Sequence, residues 1–73
     1  MVVYFNSKSM SYFRTDEEQH ITVHLTNGDS LDISFSSRMD FLNALGKFER
    51  MIKEYETYNY IVRYNTDTGK LYF

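Results

Sequence analysis

His20 and His24 are the first residues in this chain to test for chemistry, because histidines four apart on a helix share a face and can hold one metal ion. The surrounding segment "HITVHL" alternates polar and apolar residues, which is the pattern of a strand. Four residues along a strand cover about 13 Å, too far for two ligands that each sit about 2 Å from one ion. Asp32, on the next β-prone run, reaches only one of the two. No metal site is expected here, and the absence of cysteine removes thiolate zinc sites and thiol nucleophiles as well.

Acid–base catalysis needs a positioned pair of groups with shifted pKa values. Asp16, Glu17 and Glu18 are adjacent in the polar run "TDEEQ", which reads as a solvated loop. Glu49, Glu54 and Glu56 stand beside lysines and arginines on the polar side of a helical pattern. The serines have no nucleophile motif around them. Gly28, Gly46 and Gly69 are too far apart for a phosphate-cradling loop. The chain is therefore read as non-catalytic, with no cofactor.

What must position any remaining function is a small fold. Seventy-three residues make one domain, residues 1–73, with a marginal core. A hydrophobic content of 42% is too high for a disordered chain. No apolar run has the length of a membrane span or a signal-peptide core, so a cytoplasmic location without membrane contact is expected. The formal net charge of −2 argues against a purely electrostatic DNA binder and against an acidic DNA mimic. The charge is uneven, −3 over residues 1–37 and +1 over residues 38–73.

The strongest element is "SRMDFLNALGKFERMIKEYE", Ser37 to Glu56. Phe41, Leu45, Phe48, Ile52 and Tyr55 recur at helical spacing and predict the buried stripe, with Ala44 and Met51 widening it on one side and Leu42 on the other. Ser37 and Asp40 have the form of a capping box. Glu49 with Lys53 and Arg50 with Glu54 are i,i+4 pairs on the outer surface. Gly46 lies off the stripe and is read as tolerated in solvent.

Two hairpins flank this helix. In "HITVHLTNGDSLDISF", Ile21, Val23 and Leu25 alternate with polar residues, as do Leu31, Ile33 and Phe35. A two-residue Asn27-Gly28 turn would put the two apolar sets on opposite faces. An odd loop, Thr26-Asn27-Gly28 with Gly28 left-handed, instead sets Val23 opposite Leu31 and Ile21 opposite Ile33. In "YNYIVRYNTDTGKLYF", a four-residue loop from Thr66 to Gly69 pairs Tyr64 with Leu71 and Val62 with Phe73. Tyr55, Tyr60 and Tyr64 then fall toward the core, and Arg63 faces Tyr72 on the other side. At the N-terminus, "MVVYF" and "MSYFR" are read as a third hairpin. The expected fold is α+β: an antiparallel sheet of five or six strands, built from three hairpins, with one long helix packed on one face.

The residues left without a core role define the candidate binding surface. Arg63 and Tyr72 share the face opposite the helix, with Tyr58 at the helix exit and Tyr12 on an adjoining strand as continuations. Tyrosine and arginine are favoured interface anchors, since they bury area and keep a polar tip. A protein or ribonucleoprotein target is therefore the expected partner, with a homodimer as a further occupant of the same surface. The alternative is single-stranded nucleic acid, which stacks on exposed aromatics beside cations.

The chain lacks cysteine, proline and tryptophan and is rich in Tyr, Asn, Ile and Lys, as in "YETYNYIVRYNTDTGK". With hairpins around one helix, this resembles the short accessory proteins of phages and mobile elements of low-GC bacteria, anti-CRISPR inhibitors among them. The resemblance covers the whole chain and is one of composition. It implies a stoichiometric inhibitor that occludes a site on a larger host complex, and it carries over no functional residues.

Overall fold

The computed structural model describes residues 1–16 and 18–73; Glu17, part of the expected acidic loop, lies outside the described residues. The elements run β1 (Val2–Asn6), a 3₁₀ turn (Ser7–Ser9), β2 (Met10–Thr15), β3 (His20–Leu25), β4 (Ser30–Ser34), α1 (Arg38–Lys53), β5 (Ile61–Asn65) and β6 (Leu71–Tyr72). The α+β class holds. The single sheet does not: the strands form two three-stranded antiparallel sheets, ordered β1-β5-β6 and β2-β3-β4.

The expected N-terminal hairpin is corrected by the same pairing. β1 pairs with β5 and β2 with β3, so "NSKS" is a crossover between sheets and not a hairpin turn. Its geometry follows from its residues. The Asn6 side chain accepts a hydrogen bond from the Lys8 N–H (2.8 Å) and caps the turn. Ser7 is buried; its hydroxyl accepts from the Tyr60 N–H (3.0 Å) and donates to the Tyr58 carbonyl (3.2 Å). The Ser7 N–H donates to the Tyr60 carbonyl (2.8 Å). These bonds tie the crossover to the chain entering β5.

The β3–β4 hairpin has the odd loop. Val23 faces Leu31 and Ile21 faces Ile33, and Gly28 sits at φ +95°, where an L side chain is strained. In the β5–β6 hairpin Tyr64 faces Leu71, Arg63 faces Tyr72, and Gly69 closes the loop at φ +73°. In β2 the register shifts between Met10 and Tyr12. That bulge lets Met10 and Phe13, three apart, both turn inward while Tyr12 turns out.

Ser37 caps α1, accepting from the Asp40 N–H (3.4 Å), and the helix stops at Glu54, whose N–H donates to the Arg50 carbonyl (2.8 Å). The helix is rotated from its expected phase. Phe41, Ala44, Phe48 and Met51 are buried, whereas Ile52 and Tyr55 are exposed and Leu45 is partly so. Both stripes fit a 3.6 period. The small Ala44 and the flexible Met51 suit a helix seated between two sheets, and Phe48 shows why. Its ring meets Phe13 of one sheet at 5.9 Å and Phe73, just beyond β6 of the other, at 5.4 Å. The core joins both sheets: Met10, Ile21, Val23 and Ile33 on one side, Phe5, Val62 and Tyr64 on the other. Gly46 is exposed with no atom near the place of a Cβ, so it is tolerated in solvent. No helix is long and apolar enough to cross a membrane among the described residues.

Candidate functional site

The outward face of the β1-β5-β6 sheet is built by alternation. Val3, Phe5, Val62, Tyr64 and Leu71 turn inward, so Val2, Tyr4, Ile61, Arg63 and Tyr72 turn out. Tyr4 lies opposite Arg63, and Arg63 opposite Tyr72. The three form one row across three strands. The Arg63 guanidinium lies 5.4 Å from the centre of the Tyr72 ring. Such a contact is worth only about 0.5–1 kcal/mol at an exposed site, so folding gives it little reason to exist.

A Tyr72 that served only to cover Ile61 would bury both residues. Tyr72 remains 48% exposed, Ile61 52% and Tyr4 63%, so the face is left open. Lys70 precedes β6 and lines a groove with Asp40, Asn43 and Lys47 of α1. The paired strands of this face carry one cation, Arg63, and no carboxylate among the described residues. Tyr4 escaped the sequence reading. "VVYFN" already alternates, but only the pairing of β1 with β5 reveals its neighbour.

The other two expected site residues are placed differently. Tyr58 is buried and is corrected as a surface residue: its ring meets that of Tyr60 at a tilt (4.3 Å, 39° between planes) and lies under the Arg50 guanidinium (5.4 Å). Tyr60, expected in the core, is exposed instead. The inward alternation of Val62 and Tyr64 does not extend back to residue 60, because β5 begins at Ile61 and Ser7 holds the chain on either side of Asn59. Tyr12 is exposed as expected, but it belongs to the β2-β3-β4 sheet, where it stacks on His24 (4.3 Å, 14° between planes). Arg63 and Tyr72 belong to the other sheet.

The outward face of the β2-β3-β4 sheet is polar. Arg14, Asp16, His20, Thr22, His24, Asp32 and neighbouring serines line an open depression of about 510 Å³. The Asp16 carboxylate accepts from the His20 N–H (3.1 Å) and the Glu18 N–H (3.0 Å), and its second oxygen meets the His20 ring Nδ1 (3.0 Å). Desolvation pushes this carboxyl up, but the hydrogen bonds from His20 and Glu18 outweigh it and hold the group below its ordinary value. The Thr22 hydroxyl donates to Asp32 (2.6 Å). Ser34 lies opposite His20, a juxtaposition that invites comparison with a nucleophile–base–acid triad. No hydrogen bond joins Ser34 to His20 among the described residues. Nor are three His, Cys, Asp or Glu side chains grouped to hold a metal among them.

No protein-family model matches the chain, and neither curated proteins nor solved structures offer a match.

Proposed function

We propose that this protein is a non-catalytic interaction module that binds a protein or ribonucleoprotein target through the outward face of its β1-β5-β6 sheet. The observation that supports this reading is the Tyr4–Arg63–Tyr72 row, left open beside Ile61 and Val2. Aromatic and arginine side chains of this kind dominate binding energy when a partner desolvates them. In its most concrete form the module is a cytoplasmic, stoichiometric inhibitor that occludes a site on a larger complex, as anti-CRISPR proteins of phages and mobile elements do. That form rests on resemblance of composition; the binding class rests on the face.

Single-stranded nucleic acid is the second reading, favoured by a cation between two tyrosines on one face. The two readings separate by salt. A nucleic-acid complex weakens log-linearly as salt rises, whereas a tyrosine-anchored protein interface responds less. The test is affinity capture from host lysate, with and without nuclease, using the wild type and the double variant Arg63→Ala/Tyr72→Ala. A protein partner should survive nuclease and be lost with the double variant, which should keep its circular-dichroism spectrum. Capture that persists in the folded double variant would place binding on another surface.

A further inference from the structure

We infer that the partner presents a carboxylate to Arg63, carried on an acidic protein segment that also offers apolar side chains. This rests on the reading of the Tyr4–Arg63–Tyr72 face as the binding surface. Arg50, which lies over the Tyr58 ring, is already paired with Glu54. The Arg63 guanidinium lies over the Tyr72 ring, and its side chain has no hydrogen bond and no ion pair among the described residues. No hydrogen bond uses the N–H edge of that guanidinium among the described residues. That edge is the fork that takes a carboxylate through two parallel hydrogen bonds. Tyr72 limits the rotamers of Arg63 beforehand, so less side-chain entropy is lost on binding.

Charge on the face points the same way. A chain with net charge −2 places Arg63 here, with no Asp or Glu on the paired strands of this face among the described residues. The nearby hairpin-loop carboxylate, Asp67, lies 2.6 Å from the Met1 amino group. A second copy docked face to face would set Arg63 against its own kind, and like charges across an interface oppose association. Nucleic acid is the weaker fit. A single cation neutralises few phosphates, and Val2 and Ile61, both exposed, are aliphatic and give bases no ring to stack on.

The experiment is an amide-resolved NMR titration of the full chain with three probes. They are a short peptide of alternating Glu and Leu, the same peptide with Gln for Glu, and oligo(dT). The acidic peptide should move the amides of Tyr4, Ile61, Arg63 and Tyr72 and bind about tenfold more tightly than its Gln counterpart. Arg63→Gln should remove that advantage, and Arg63→Lys should restore part of it. If both peptides move these amides with equal affinity, the carboxylate inference falls while the binding face stands. If the acidic peptide moves amides elsewhere, or none, both fall. Tighter binding of oligo(dT) than of the acidic peptide at this face would overturn the inference in favour of nucleic acid.

Discussion

Asp16 is the residue whose chemistry most exceeds its setting. It is exposed, yet it organises the approach to β3 by accepting from two backbone N–H groups and meeting the His20 ring. Its carboxyl is held below its ordinary value, so the folded state favours the ionised form. Stability from this group is therefore fully present above the unfolded-state value, near pH 3.9, and is lost as pH falls through the lower folded-state value. Asp16→Asn keeps an acceptor oxygen but removes the charge. Urea unfolding should find the variant less stable than wild type at pH 7, with the gap closing as pH falls below about 4. A gap that held constant down to pH 2 would show that geometry, and not charge, sets the role of Asp16.

At the scale of elements, the rotation of α1 has a direct test. Met51 is 1% exposed and Ile52 43%, so the two neighbours should differ sharply. Met51→Ala should cost about 2–5 kcal/mol, and Ile52→Ala about 1 kcal/mol or less. Chemical denaturation of the two variants checks this, and equal losses would return the helix to the phase that its sequence first suggests. The hairpins were easier to read than the helix. Alternation has a period of two, so a single turn residue fixes the parity, and Gly28 and Gly69 supply it. A helix stripe has no such sharp rule. Phe41 and Phe48 belong to either stripe, and the choice between Leu45 with Ile52 and Ala44 with Met51 depends on what docks there. The crossover was hidden for a different reason. "NSKS" has turn composition, and only the remote partners Tyr58 and Tyr60 convert it into a link between sheets.

Across the whole molecule, Phe48 is where the two sheets and the helix meet. It is fully buried, between Phe13 and Phe73. Phe48→Ala should cost about 3–5 kcal/mol, against a total stability of about 4–11 kcal/mol for a chain of this length. A thermal melt by circular dichroism should show the variant largely unfolded or strongly shifted downward, and an unchanged melt would mean that the sheets do not depend on this contact. Of the candidate site, the sequence revealed Arg63 and Tyr72, because they face each other across one local hairpin. It could not reveal Tyr4, whose neighbour lies at the far end of the chain, nor separate Tyr12 onto the second sheet. Residues joined by a turn are legible; residues joined by closure of the fold are not.

The pairing of β1 with β5 also sets an order of events. Its register runs from Val2 opposite Asn65 to Asn6 opposite Ile61, so it encloses nearly the whole chain. The β2-β3-β4 meander closes over short turns. Loop-closure entropy grows with the enclosed length, and long-range contacts are rewarded late in folding. The β1–β5 seam is thus a clasp, the last to fasten and among the first to open. In native-state hydrogen exchange, the amides of Val3, Phe5, Val62 and Tyr64 should open together, at lower free energy than those of Ile21 and Val23. A partner seated on Tyr4, Arg63 and Tyr72 holds both halves of that clasp. Saturating it should slow exchange at these four amides in proportion to its affinity, and a ligand that leaves them unchanged is not bound to this face.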